Sequence, residues 1–185
     1  MGPELLAILQ SVLEISYALD GSLDLTIEPL MRLWGFRGDR GPNPPTDAEI
    51  VHALSRVGHQ NILLERGAVG LAQSGCAIDL GGVAVGYALD RAAAIARRMG
   101  VERGLIELSG DYYAIGSPPD ADGWTIGLED PRVAYGLWGA PTIRDQGLST
   151  SGNYNTVVVY NAHRFGHIMD PSLGEPSRSH LSTTV

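Results

Sequence analysis

The segment Asp79-Leu-Gly-Gly-Val-Ala-Val-Gly-Tyr-Ala-Leu-Asp90 opens with a carboxylate and two adjacent glycines, then takes on helical character. Backbone N–H groups at such a helix start can meet a phosphate or a carboxylate. The spacing is not G-x-G-x-x-G, so it is a weak match to a dinucleotide fingerprint, and taken alone it reads first as close packing of a helix on a sheet. A second segment, Leu108-Ser-Gly-Asp111, is a strand end that turns sharply and presents an aspartate, a residue that most often caps such a turn. The third runs through Leu148-Ser-Thr-Ser-Gly-Asn-Tyr154 to Arg164-Phe-Gly-His-Ile-Met-Asp-Pro171 and Gly174, gathering hydroxyls, an amide, an imidazole and a carboxylate. His163 and His167 are four apart, yet Val157-Val-Val-Tyr160 and Asp170-Pro171 oppose a helix, so a helical zinc-binding pair is not expected. A lone histidine is usually structural. His167 is nevertheless the candidate general base, because an unperturbed imidazole titrates near neutrality.

Composition narrows what these groups can do. The 185 residues suit one domain, and 44% hydrophobic residues are enough for a packed core. With 13 basic and 21 acidic residues the formal charge is −8, which lacks the basic footprint of a nucleic-acid module. Every basic residue is an arginine, so a Walker-A loop, a pyridoxal Schiff base and a lysine nucleophile are excluded. Cys76 is the only cysteine, which excludes an internal disulfide and a thiolate metal cluster. No apolar run approaches the roughly 20 residues of a membrane-spanning helix.

The elements that must position these segments are mixed. Leu5, Leu9, Val12 and Leu13 recur at helical spacing over Glu4–Glu14, after Pro3. An irregular stretch is expected from Asp20-Gly21 to Phe36, then a Gly- and Pro-rich loop over 37–45. Thr46-Asp-Ala-Glu49 is a capping box for a helix with Ile50, Ala53, Leu54 and Val57 inward, closed by Gly58. Residues 61–65 and 69–73 flank Arg66-Gly67-Ala68 as a hairpin. Ala77–Asp79 is expected as a short strand and Gly86–Met99 as a helix closed by Gly100. Further strands are expected over Leu105–Leu108, Trp124–Leu128 and Thr156–Tyr160, the last followed by a turn at Asn161-Ala162. The sum is an α+β fold of mixed helices and mostly antiparallel sheet, in a single domain over 1–185. No signal peptide is visible, and Leu181-Ser-Thr-Thr-Val185 reads as the start of a strand. Both ends suggest a fragment or an unusually short chain.

Five segments together resemble the signatures of the ApbE family, the FAD:protein FMN transferases, in family order and over nearly the whole chain. Leu23-Asp-Leu-Thr-Ile-Glu-Pro-Leu-Met-Arg-Leu-Trp-Gly-Phe36 resembles F-D-x-T-V-G-P-L-V-x-L-W-G-F, and Asp79–Asp90 resembles D-L-G-G-I-A-K-G-Y-A-V-D. Ser109-Gly-Asp-Tyr-Tyr-Ala-Ile-Gly116 is similar to G-G-D-x-x-A-x-G. Thr150-Ser-Gly-Asn-Tyr154 and His167-Ile-Met-Asp-Pro-Ser-Leu-Gly174 are similar to T-S-G-D-Y and H-I-L-D-P-x-T-G. Val85 stands at the family's lysine or glutamate, Ser109 at a glycine and Asn153 at an aspartate.

The resemblance implies an α+β, T-fold-like domain, incomplete at both termini, that splits FAD at its pyrophosphate. FMN would pass through a phosphoester bond to a threonine of an acceptor protein, a flavinylated redox subunit, with release of AMP and help from Mg2+. By motif position Ser22, Leu23, Asp24 and Asp79 would lie along FAD, with Val85 at the family's polar contact. Thr150, Ser151, Gly152 and Ile168 would line the flavin side, the Gly82 carbonyl would be a magnesium ligand, and His167 would be the base for the threonine. The other reading of the same resemblance is a non-catalytic or fragmentary flavin-binding remnant. Family membership also implies the cell envelope, on the periplasmic side of the inner membrane.

Overall fold

The computed structural model describes residues 2–65 and 67–185. It is an α+β fold in which every strand pair among the described residues is antiparallel. The chain forms two compact units: unit 1 is Met1–Gly82 with Asn153–His180, and unit 2 is Val83–Gly152 with Leu181–Val185.

Unit 1 begins with α1 (Pro3–Ala18), whose buried Leu9, Val12 and Leu13 match the predicted stripe. The helix runs one turn beyond Glu14 and ends where Asp20 and Gly21 adopt positive φ (49° and 76°). The stretch expected to be irregular contains a 3-10 turn, Leu25–Ile27, and α2 (Glu28–Leu33). Two local features explain this correction. Asp24 caps the turn by accepting from the Thr26 N–H at 2.7 Å, and Pro29 stands where a helix start tolerates it. In α3 (Asp47–Leu54) the capping box of Thr46 and Glu49 is complete on both sides. Ile50 and Ala53 are buried as expected, but the helix ends at Leu54, four residues before Gly58.

The strands β1 (Ile62–Glu65) and β2 (Ala68–Leu71) pair as the predicted hairpin, in which Arg66 lies outside the described residues. Residues 77–79 form no strand; the segment is tied instead by the Asp79 N–H donating to the Leu25 carbonyl at 2.8 Å. After Asn153 the chain makes β11 (Val157–Tyr160) and β12 (His163–Gly166). Asn161 and Ala162 both take positive φ (49° and 65°), the two-residue turn whose twist suits a hairpin. The last pair is β13 (Met169–Asp170) with β14 (Glu175–Pro176).

The core of unit 1 centres on Trp34, Ile50 and Tyr160, with Phe36, Leu54, Phe165 and Met169 packed against them. Trp34 Nε1 donates to the Gly174 carbonyl (2.8 Å), and Tyr160 Oη donates to the Trp34 carbonyl (2.9 Å). The Phe165 ring centroid is 5.2 Å from that of Trp34. This aromatic cluster fixes β12, and β12 leads directly into His167.

In unit 2, α4 (Ala84–Arg98) starts two residues and ends one residue earlier than predicted, and Gly100 with φ 85° follows its C-cap Met99. It packs on β3 (Gly104–Leu108) and β4 (Asp111–Ile115). The expected strand over Trp124–Leu128 is instead two short pieces, β5 (Trp124–Thr125) and β6 (Leu128–Glu129). Between them the buried Ile126 still donates its N–H to the Pro141 carbonyl (3.0 Å), but Pro141 has no N–H to return, so the ladder stops there. Their partners are β8 (Thr142–Ile143) and β7 (Leu137–Gly139), respectively. β9 (Gly147–Leu148) extends the β3–β4 pair, and β10 (Thr150–Gly152) pairs with β15 (Ser182–Thr184). The core here is Ala114, Ile126, Ile143 and Leu148.

Candidate functional site

A cavity of about 480 Å³ opens in unit 1. Its walls bring Ser22 and Asp24, from the loop after α1, together with Ile168, from the segment between β12 and β13. Ser22 is exposed, while Leu23, Asp24 and Ile168 are partly buried. Asp24 Oδ1 accepts from both the N–H and the hydroxyl of Thr26 (2.7 and 2.6 Å), so one carboxylate oxygen is committed to the cap. His59 and Gln60 also line the cavity, and nothing in the sequence marked them. The His59 ring packs edge-on against Tyr17 (centroids 4.5 Å apart) and stands over Gly21. Gly21 has φ 76°, the left-handed region that favours glycine, and a Cβ there would press on the ring at 3.3 Å from His59 Nδ1.

His167 is half-buried, and its Nδ1 is buried without a hydrogen-bond partner. Desolvation pushes its pKa below the ordinary 6.5; the Thr156 backbone pulls it back up, the Arg37 charge lowers it further and Asp79 opposes that. The result is an imidazole that is neutral at pH 7 and able to accept a proton. Phe36 faces the ring edge-on at 6.5 Å.

Asp79 is tightly held. Its Oδ2 pairs with Arg37 Nη2 at 3.0 Å and its Oδ1 accepts from the Gly81 N–H at 2.6 Å. The turn carrying Gly82 is therefore set by the Asp79 side chain rather than by a strand. Gly82 is exposed, with Leu23 Cδ1 4.0 Å from where its Cβ would stand. Among the described residues no three His, Cys, Asp or Glu side chains gather to hold a metal ion.

Asn153 braces the His167 segment. Its Oδ1 accepts from the Ile168 N–H (3.0 Å), while its Nδ2 donates to the Ser177 carbonyl (3.1 Å) and the His180 carbonyl (3.5 Å). Asn153 Cβ and Cγ lie 2.7 Å from the place of a Cβ on Gly166, so only glycine fits beneath the amide. The sequence flagged Asn153 only as a difference from the family pattern. An amide both accepts and donates at this point, and a carboxylate would have no N–H for the two carbonyls.

The remaining predicted residues belong to unit 2. Val85 sits in the first turn of α4. Thr150, Ser151 and Gly152 are β10 itself. The Thr150 hydroxyl shares a 2.8 Å hydrogen bond with that of Thr184, and the Thr150 N–H donates to Asp111 Oδ1 at 3.1 Å. Asp111 thus acts as a brace between a hairpin end and β10.

The ApbE family model matches residues 1–185, and the chain belongs to that family. It is 34% identical over 181 residues to an FAD:protein FMN transferase of Klebsiella pneumoniae (strain 342), covering 96% of this chain and 55% of that protein. It is 32% identical over 185 residues to the FAD:protein FMN transferase of Salmonella typhimurium, covering 96% and 53%. Among solved structures, the ApbE protein of Thermotoga maritima superposes with a TM-score of 0.91 at 34% identity, over 100% of this chain and 60% of that one. The apo form of the Pseudomonas stutzeri flavinyl transferase ApbE gives 0.80 at 31% identity, over 100% and 58%. The chain spans about half the length of the curated relatives it matches.

Proposed function

We propose that this chain serves FMN transfer from FAD to a threonine of an acceptor protein. The observation that carries this reading is the unit 1 cavity, in which Ser22, Asp24 and Ile168 meet although the sequence separates the loop after α1 from β13 by most of the chain. The residue next to Ile168 is the neutral imidazole of His167.

In this reading His167 takes the proton of the acceptor threonine. The threonine oxygen then forms a bond to the FMN-side phosphorus of FAD, and the pyrophosphate P–O bond breaks. AMP leaves with the bridging oxygen and its electron pair. A ring held neutral by burial is suited to that first step, since a protonated one has no lone pair to offer.

The described residues do not by themselves fit a resident magnesium ion. Gly82 offers one neutral carbonyl, and the Asp79 carboxylate is already engaged by Arg37 and Gly81. The compartment proposed from family resemblance is the cell envelope.

Titration of the 185-residue chain with FAD, followed by flavin fluorescence, tests the reading. A saturable change is expected, and Ile168→Asp should weaken it by placing a carboxylate on the cavity wall. No change at high protein concentration would refute FAD as the ligand.

A further inference from the structure

The Arg37 guanidinium has no part in the proton transfer proposed above, yet it sits among the residues of that site. Its partner Asp79 is tied to the loop after α1, because the Asp79 N–H donates to the Leu25 carbonyl at 2.8 Å. The glycine turn that follows touches the same loop: a Cβ on Gly82 would stand 4.0 Å from Leu23 Cδ1. On the side of the candidate base, Phe36 sets its ring edge-on to the His167 imidazole at 6.5 Å, and the Arg37 charge is felt at that imidazole. Arg37 therefore links the glycine turn to the segment of His167.

The guanidinium is anchored without being used up. Nη2 donates to Asp79 Oδ2 at 3.0 Å, and Nη1 reaches only the Phe36 carbonyl, at 3.4 Å. Among the described residues Nε has no acceptor, and the side chain remains 48% exposed. About three of the fork's five N–H groups are thus left for a ligand. The turn beside it is open backbone. Gly81 and Gly82 are both exposed, and a Cβ at Gly81 would lie 2.8 Å from Asp79 Oδ1 and 3.5 Å from Arg37 Nη2. Glycine at 81 leaves room for the carboxylate that holds the guanidinium. The cavity itself carries the opposite charge: Asp20, Asp24 and Asp170 line it, and among the described residues none of its lining is arginine. A dinucleotide with two ionised phosphates needs a cation beside such a wall.

We propose that Arg37 binds the pyrophosphate of FAD, with Asp79 fixing one edge of its fork and the free edge taking the phosphate oxygens. This rests on the reading of the adjoining cavity as the FAD site. A planar fork held at one edge matches two oxygens of one phosphate, which a lysine ammonium cannot do. The same contact supplies counter-charge during transfer, since AMP leaves with the electron pair of the broken P–O bond.

The test is titration of the 185-residue chain and its variants, at low salt, with FAD and with riboflavin, which has no phosphate. Both are followed by flavin fluorescence, and inorganic pyrophosphate is titrated in parallel by calorimetry. Arg37→Gln is expected to weaken FAD about tenfold, to leave riboflavin unchanged, and to flatten the fall of FAD affinity with salt. Arg37→Lys should weaken FAD by less. Arg32→Gln, an equal change of net charge at a residue held by Glu28, should leave FAD affinity unchanged. Equal FAD affinity in the wild type and Arg37→Gln, an equal loss for riboflavin, or an equal loss in Arg32→Gln would overturn the proposal. Should the glutamine variant fail to fold, Arg37→Lys decides: weaker FAD with riboflavin unchanged supports the proposal, and unchanged FAD overturns it. Pyrophosphate binding that depends on Arg37, in a chain that binds neither flavin, would instead sink the FAD reading and leave Arg37 as a phosphate site. Binding of none of the three would overturn both.

Discussion

In unit 1 the imidazole of His167 keeps Nδ1 buried and unbonded, whereas in unit 2 the carboxylate of Asp111 spends Oδ1 on the Thr150 N–H. Both residues sit at strand ends and both belong to motifs of the same family pattern, yet one polar atom is left unbonded and the other is engaged. An unsatisfied buried polar atom is a cost, borne here by His167 Nδ1 and by the Ser16 hydroxyl. A satisfied one holds backbone segments together. The comparison extends to their neighbours: the hydroxyl of Thr150 is engaged with Thr184, while Ser22 and Ile168 line an open cavity.

Stability measurements can break this comparison, and the largest effect should come from what supports His167. Trp34→Ala removes a side chain only 4% exposed, its bond to Gly174 and its contact with Phe165. A loss of about 3–5 kcal/mol is expected in chemical denaturation. A loss under about 1 kcal/mol would show that the aromatic cluster does not hold β12. Next comes Asp111→Ala, which leaves the Thr150 N–H without its acceptor and should cost about 1–3 kcal/mol. Thr150→Val deletes one hydroxyl of the cross-strand pair and should cost about 0.2–1 kcal/mol, with FAD affinity unchanged. Weaker FAD binding in this variant would move Thr150 from the bracing class to the ligand-facing one.

The smallest stability change is expected at His167, the base of the proposed reaction. His167→Ala removes an unsatisfied buried nitrogen, so denaturation should shift by less than about 1 kcal/mol, and FAD binding measured by flavin fluorescence should persist. Its pH signature sharpens the point. The folded imidazole titrates below 6.5, so on acidification the unfolded chain takes up its proton first. Stability contributed by this group is therefore present above 6.5 and lost as the pH falls from there through the folded value. NMR titration of the ring proton should show the lowered pKa, and the alanine variant should lose that part of the pH dependence. A folded pKa at or above 6.5 would remove the physical case for His167 as a base poised at neutrality.

The legible parts of the sequence were those decided by neighbours in the chain. Thr46 and Glu49 are three residues apart and close their capping box within one helical turn. The stripe Leu9, Val12, Leu13 defines α1 by its spacing, and Asn161-Ala162 makes a tight turn after the apolar run Val157–Tyr160. His167 could be singled out because few side chains exchange protons near neutrality, and the ordered motifs pointed to the family. Where the sequence misled, a distant partner decided the outcome. Residues 77–79 look like a strand, but Asp79 is captured by the Leu25 carbonyl and by Arg37. The segment before Trp34 looks irregular, yet it folds as α2 because Leu30 and Met31 are buried and Trp34 reaches Gly174.

The candidate site is of this second kind almost throughout. Residue types and spacing determined that the chain could hold an imidazole, a glycine-rich turn and hard oxygen donors. Only the tertiary structure placed Ser22, Asp24, His59 and Ile168 around one cavity, and only it turned the Asn153 amide into the clamp on Gly166, Ile168 and Ser177. The reason is physical. Caps, turns and helical stripes are short-range interactions written into a few consecutive residues. A cavity and the desolvation of an imidazole depend on which remote segments the core brings together, and that is settled by packing.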